Sequence, residues 1–193
     1  MGFIKDFIQR YKNKRQIKKN LKKNGFNRKR FEKDMKDWQN RNLDIEEILS
    51  RDFSENVIID AYEYFMRKCN WNPELINCTC VKDFLLCVLF VGEVGNGGIS
   101  QFLSNNSDDL TIETIEALKR IDKEYAEVLI SAMQIFPKGA VPRDCETRNK
   151  IMDAFDDDTG KKLHELDNCL IGRDLSQKLY DFIHTHEMDF LKN

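Results

Sequence analysis

An apolar stretch in the middle of the chain is broken by closely spaced glycines, and this break constrains the fold more than any other feature. It reads E-V-G-N-G-G-I-S-Q-F at residues 93–102. Glycine allows backbone conformations that a side chain would forbid, so a turn or a close approach is expected there. Polar Glu93, Asn96 and Gln101 accompany the glycines, with apolar residues on both sides. The segment is therefore a structural turn or part of a functional site.

The remaining apolar residues recur with a helical period. Spacings of three and four residues recur through the chain, and no stretch of any length alternates apolar with polar residues. Only three of the 193 residues are proline, which also favours helices. The sequence therefore predicts an all-α fold: a compact multi-helix domain with a basic N-terminal helical extension. No segment approaches the roughly 20 apolar residues that a membrane span requires, so no span is expected.

The charge is divided unevenly along the chain, although the net charge is only −2. Residues 1–42 contain 15 Lys/Arg and four Asp/Glu, a net charge of +11. Residues 43–193 contain 16 Lys/Arg and 29 Asp/Glu, a net charge of −13. Such asymmetry indicates an interaction tail or two parts that attract each other. We therefore predict a basic extension over residues 1–42 and an acidic helical domain over residues 43–193.

The six cysteines do not form a pattern typical of a metal site. A chain of this length without an evident secretion signal does not need disulfide bonds, so free thiols in a cytoplasmic protein are expected. Cys78 and Cys80 are spaced C-x-C, whereas zinc knuckles commonly use C-x-x-C. The aspartates at 156–158 do not have the spacing of an EF-hand, and the three histidines are scattered. We expect no metal and no cofactor.

The sequence supports a chemical role for the glycine segment less well than a structural role. A phosphate site is disfavoured because no lysine or arginine lies between Lys82 and Lys119. Glu93 has no neighbouring His or Cys in sequence that supports acid–base catalysis. In the structural interpretation, Glu93 accepts hydrogen bonds from the turn N–H groups and Asn96 caps the following helix. The other polar residues, Gln101 and Asn105, would satisfy the remaining groups of the loop.

The same residues form a motif, E-x-x-N-G-G-x-x-Q-F, followed by N-x-S. The motif residues are Glu93, Asn96, Gly97, Gly98, Gln101, Phe102 and Asn105. This pattern resembles the hallmark of the bacterial family typified by DNA mimic protein nineteen. The similarity covers about residues 81–190, includes the Leu166-Asp167 pair, and does not include the basic extension. Ile99 replaces the family's usual aromatic residue, and Asp108 stands where a glycine often follows the serine.

The resemblance implies an all-helical cytoplasmic protein with no known catalysis. The typical family member imitates DNA: it binds a dimeric transcription factor and keeps it from its operator. Because DNA binders carry lysines and arginines that match the phosphates, a helical body with spaced carboxylates can present a similar field. The candidate carboxylates for such a surface are Asp108, Asp109, Glu113, Glu116, Asp122, Glu124, Glu127, Asp153, Asp156, Asp157 and Asp158. The alternative for these residues is that they are solvated surface groups and helix N-caps.

The sequence therefore predicts a non-enzymatic protein-interaction module, whose partner is a protein such as a DNA-binding transcription regulator. One alternative is an immunity or accessory protein of a toxin system, which related domains resemble. Another is association with nucleic acid or a membrane surface through residues 1–42, which combine lysines with an apolar helical face. The same face also suits a helix packed on the body. An enzyme that uses Glu93 in a pocket is a further alternative.

Overall fold

A computed structural model describes residues 33, 36–38, 40–105, 110–170 and 172–193. From residue 43 onward, the described chain forms nine α-helices and no β-strand, which confirms the predicted all-α fold. The helices are α1 (Ile45–Leu49), α2 (Glu55–Lys68), α3 (Thr79–Asn105), α4 (Thr111–Ile121), α5 (Lys123–Met133), α6 (Cys145–Asp153), α7 (Asp157–Leu170), α8 (Ser176–Thr185) and α9 (Glu187–Lys192). Residues 1–32 of the predicted helical extension lie outside the described residues, whereas residues 33 and 36–38 of it are helical.

Helix α3 is the centre of the fold. It packs against α2, α4, α6, α7, α8 and α9. Its apolar side chains are buried on most sides, since Phe84, Leu85, Phe90 and Leu103 are all fully inaccessible to solvent. A helix that is apolar around most of its circumference is stable only when other helices surround it. The sequence of α3 therefore dictates the arrangement of the domain.

The length and composition of α3 also meet the criteria for a membrane-spanning helix, contrary to the expectation from the sequence. In the folded chain, however, 56% of its most apolar window is buried inside the protein. Core helices of folded domains meet the same criteria, because they too are long and apolar. The packing of six other helices around α3 accounts for its apolar composition without a membrane.

Edge-to-face aromatic contacts connect the C-terminal helix and α5 to this centre. The Phe190 ring, near the C-terminus, lies 5.5 Å from the Phe65 ring and 5.6 Å from the Phe84 ring, measured between centroids. Phe90 makes similar contacts with Phe102 and Tyr125 at 5.0 and 6.4 Å. Each such pair contributes about 0.5–1.5 kcal/mol beyond the burial of its area. These contacts fix α9 against α2 and the first half of α3.

The last residues of the basic extension are bound to α2 by a network of charges. Arg41 donates to Asp60 Oδ1 at 2.9 Å and to Glu63 Oε2 at 2.7 Å. Arg67 also pairs with Glu63, and it donates to the carbonyl oxygens of Arg41 and Trp38 at 3.0 Å. Burial raises the pKa of Glu63, although Arg41 and Arg67 both act to lower it. Asp60 and Glu63 therefore serve the fold and are not part of an acidic surface.

Candidate functional site

The glycine segment is a sharp kink at which two helical halves of α3 meet, in agreement with the break that the sequence predicted. The helix is continuous from Thr79 to Asn105 except at Gly97 and Gly98, whose backbone angles are not helical. Gly98 has φ 77° and ψ −176°, a region that residues with side chains rarely occupy. Gly97 has φ −162°, which any residue can adopt. The need for glycine at position 98 is therefore conformational, as the sequence suggested.

The kink is held by Asp167 of α7, a residue that the sequence analysis did not assign to the site. The backbone N–H of Ile99 donates to Asp167 Oδ1 at 2.7 Å. A Cβ atom on Gly98 would lie 2.4 Å from Asp167 Oδ2, so the carboxylate fits only against a glycine. This carboxylate thus caps the second half of α3, a role predicted for Asn96. The side-chain nitrogen of Asn96 is buried and has no hydrogen-bond partner within the described residues.

The carboxylate of Glu93 organises the polar residues on both sides of the kink. Its Oε2 atom accepts hydrogen bonds from Gln101 Nε2 at 2.8 Å and from Asn105 Nδ2 at 3.1 Å. Glu93 is only 5% exposed. Burial, followed by the negative charge of Glu93, raises the pKa of the nearby Tyr62, which keeps the phenol protonated. The motif residues Glu93, Gln101 and Asn105 therefore form one hydrogen-bonded cluster across the kink, in which Glu93 is buried, Gln101 is half-buried and Asn105 is exposed.

We predict that Glu93→Gln lowers the free energy of unfolding by about 1–3 kcal/mol, because an amide cannot accept both donors as strongly as a carboxylate does. Urea unfolding followed by circular dichroism measures the change. Glu127→Gln is the matched control: Glu127 is exposed, and its replacement should change stability by less than about 0.5 kcal/mol. Equal stability of the Glu93→Gln variant and the unmodified chain would contradict the structural role of this cluster.

A pocket of about 180 Å³ lies next to the motif but does not contain its polar cluster. Its apolar lining comes from Val91, Val94, Tyr125, Leu170 and Leu175. Its polar lining comes from Glu55, Arg173, Asp174 and Ser176, and Glu93 does not line it. Arg173 is paired with Glu124. A general base must reach the proton that it removes, so this geometry does not support Glu93 as a catalytic residue in the pocket.

The end of α3 that follows the motif is held by Arg148 of α6, which the sequence analysis also missed. Its side chain is fully buried and donates to the carbonyl oxygens of Leu103, Pro142 and Arg143. Only the three-dimensional arrangement brings these carbonyl groups together around a guanidinium, so no local sequence signal identifies this role. Asp167 and Arg148 thus attach the second half of α3 to two separate helices.

The structure divides the candidate carboxylates into structural and exposed groups. Asp122 is 7% exposed, caps α5 through the N–H groups of Glu124 and Tyr125, and pairs with Lys178 at 2.7 Å. Its assignment to a binding surface is therefore wrong, because its carboxylate oxygens already bind the N–H groups of α5 and Lys178. Glu113 is half-buried, and its Oε2 atom has no hydrogen-bond partner within the described chain. Asp108 and Asp109 lie outside the described residues.

Several exposed carboxylates have local partners. Glu116 pairs with Lys119, Glu124 with Arg173, and Asp158 with Lys161. Asp156 accepts a hydrogen bond from the Thr159 N–H at 2.8 Å. The Thr159 side chain, and after it this N–H, lower the pKa of the Asp156 carboxyl. The remaining candidates, Glu127, Asp153 and Asp157, are exposed and form no ion pair with another described residue.

These three unpaired carboxylates, which we call the acidic face, lie on α5, at the start of α7 and at the end of α6. Glu127 lies on α5, which packs against α7. Asp157 is the first residue of α7, and Asp153 is the last residue of α6, immediately before it in the chain. Charges at these positions remain available to a partner because no lysine or arginine of the described chain neutralises them by direct contact.

Comparison with known proteins identifies a family. The family of DMP19-like proteins matches residues 79–186, which is more than half of the chain. The matched region begins at the first residue of α3 and contains the kink, Arg148 and Asp167. No match to this chain was found among curated proteins or solved structures. The helical fold and the family match agree with the resemblance carried by the motif, and the chain belongs to the DMP19-like protein family.

Proposed function

We propose that this protein is a non-enzymatic, cytoplasmic interaction module that binds a DNA-binding regulator through its acidic face and thereby competes with DNA. The observation that carries the proposal is the exposure of Glu127, Asp153 and Asp157 without cations in contact with them. Membership of the DMP19-like family is consistent with a protein that imitates DNA.

The physical basis is competition for the same cationic surface. A DNA-binding protein presents lysines and arginines that match phosphate groups, and binding to DNA releases condensed counterions. Fixed carboxylates on a helical scaffold attract the same cations and orient the approach of the partner. Hydrogen bonds at the α3 kink and at the Asp156 cap hold α7, which carries Asp157, in place within the fold. Such a module needs neither a cofactor nor a catalytic residue.

The test uses the full-length chain immobilised as bait in a nuclease-treated bacterial lysate. We expect it to capture a DNA-binding protein that duplex DNA with that protein's own target sequence then releases. The variant Glu127→Gln/Asp153→Asn/Asp157→Asn should bind the captured protein about 10–100-fold more weakly. It should also reduce the dependence of affinity on salt, because fewer charged contacts form.

A charge-matched variant distinguishes an effect of the acidic face from an effect of the net charge. Glu46→Gln/Asp52→Asn/Glu74→Gln removes three exposed carboxylates from other elements. Its affinity for the captured protein should be within about twofold of that of the unmodified chain, since exposed charges far from an interface have small effects. Equal weakening by both variants would show a general charge effect and reject the acidic face. Capture only of proteins that DNA does not displace would reject the competition with DNA.

A further inference from the structure

We propose that Cys80, His186 and Asp189 form a zinc-binding site that joins the C-terminus of the chain to the start of α3. One ligand atom from each residue lies within 4.8 Å of the others. No metal site was expected from the sequence, because the cysteines lack a common zinc spacing and the histidines are scattered. This site instead combines a residue from the start of the DMP19-like region with His186 at its end and Asp189 just beyond it, and it does not depend on the proposed function.

The backbone around the site is fixed by packing. Cys80 is the second residue of α3, His186 lies between α8 and α9, and Asp189 is in the first turn of α9. The His186 carbonyl oxygen accepts the Asp189 N–H at 2.8 Å, which sets the position of one ligand relative to the other. The fully buried Phe190, next to Asp189, packs against Phe84 of α3. The fold therefore brings the three residues together before any metal binds.

The side chains already lie close together. The His186 Nδ1 and Asp189 Oδ2 atoms are 3.9 Å apart. The Cys80 Sγ atom lies within 4.8 Å of a ligand atom of each of these two residues. The His186 ring lies against Phe182, with a centroid distance of 4.6 Å, which limits its rotation. Two ligands of one tetrahedral zinc lie about 3.3–3.6 Å apart, given bond lengths of about 2.0–2.3 Å. Movement of the three ligand atoms toward one another by about 1 Å would therefore give them the spacing of zinc ligands.

The combination of donors selects the class of metal. A thiolate, an imidazole and a carboxylate are the three ligand types that zinc uses in proteins. Calcium and magnesium prefer oxygen ligands and would gain little from Cys80 and His186. Because the side chains of His186 and Asp189 are 34% and 51% exposed, solvent can reach the fourth coordination position. Cys78, two residues before Cys80, is not among the three clustered residues and is not assigned as a ligand.

Cobalt(II) binding to the reduced full-length chain tests the site directly, because a cysteine ligand produces a thiolate-to-cobalt charge-transfer absorption. We expect this absorption to saturate at one cobalt per chain and to disappear when zinc displaces the cobalt. Cys80→Ser should abolish it. His186→Gln and Asp189→Asn, which change partly exposed residues, should weaken metal binding at least about tenfold. Zinc should also raise the unfolding temperature of the unmodified chain and not that of Cys80→Ser.

Matched variants establish which residues bind the metal. Cys169→Ser and His164→Gln change an exposed cysteine and an exposed histidine of α7, and both should retain the cobalt spectrum. Cys78→Ser should retain it as well. Absence of the charge-transfer absorption in the unmodified chain, or its loss in Cys169→Ser with retention in Cys80→Ser, would overturn the proposal. Unchanged affinity in both His186→Gln and Asp189→Asn would overturn it even if the Cys80 variant failed to fold.

Discussion

Gly98→Ala should destabilise the protein by about 3–5 kcal/mol. The backbone at Gly98 has φ 77° and ψ −176°, a conformation whose strain costs a residue with a side chain about 1–3 kcal/mol. The new Cβ atom would lie 2.4 Å from Asp167 Oδ2 and displace the carboxylate that accepts the Ile99 N–H. Loss of a hydrogen bond to a charged group costs about 1.5–3 kcal/mol. Chemical denaturation with a helical signal measures the effect.

Two other glycines provide matched controls for this substitution. Gly172 has φ 79° but nothing lies within 4 Å of the position of its Cβ, so Gly172→Ala should cost only about 1–2 kcal/mol of backbone strain. Gly160 lies in α7 with open space around it, and Gly160→Ala should stabilise the protein by about 0.5–1 kcal/mol. If Gly98→Ala lowered the free energy of unfolding no more than Gly172→Ala does, the close approach of Asp167 would contribute nothing to the destabilisation.

Arg148→Met should lower the free energy of unfolding by about 3–5 kcal/mol. The buried guanidinium donates to three carbonyl groups, and its removal leaves them without this donor in the interior. Methionine occupies similar space, so the loss measures hydrogen bonding more than a cavity. Hydrogen exchange should show faster opening of residues 99–105, because Arg148 holds the Leu103 carbonyl.

Lys150→Met on the same helix is the control for Arg148→Met. Lys150 pairs with Glu146 on the surface, and both side chains are more than 70% exposed. Surface ion pairs of this kind contribute about 0–1 kcal/mol, so the substitution should change stability little. A loss of less than 1 kcal/mol in Arg148→Met, with the native circular dichroism spectrum retained, would show that Arg148 does not hold α3 in place.

Local patterns in the sequence were sufficient to predict the helical fold and the family motif. Apolar periodicity depends on neighbouring residues, and the helices from residue 45 onward follow it. The break at Gly95, Gly97 and Gly98 was also visible, although only the structure shows that Gly98 is the one with a positive φ. The caps of α1 and α6, Asp44 and Asp144, were not assigned from the sequence, although acidic residues are common at this position.

Contacts between distant residues could not be read from the same patterns. Asp167 binds the Ile99 N–H from another helix, and the only sequence signal was that the Leu166-Asp167 pair matches the family's ending. Asp122 looked like a surface charge because burial is a property of the assembled helices. The break between two helical halves was expected, but the sequence did not show the path of the backbone after it. The cluster of Cys80, His186 and Asp189 arises in the same way, from packing of the two ends of the domain.

We propose that scaffold and binding belong to different residues: the motif shapes α3, whereas the acidic face would bind the partner. The most direct test is the affinity of the folded Glu127→Gln/Asp153→Asn/Asp157→Asn variant for the captured DNA-binding protein, measured beside the affinity of folded Gly98→Ala. We predict that the triple variant keeps its stability to within about 1 kcal/mol and binds about 10–100-fold more weakly. Folded Gly98→Ala should retain most of the affinity despite its lower stability. Full affinity in the triple variant, together with lost affinity in folded Gly98→Ala, would contradict this assignment.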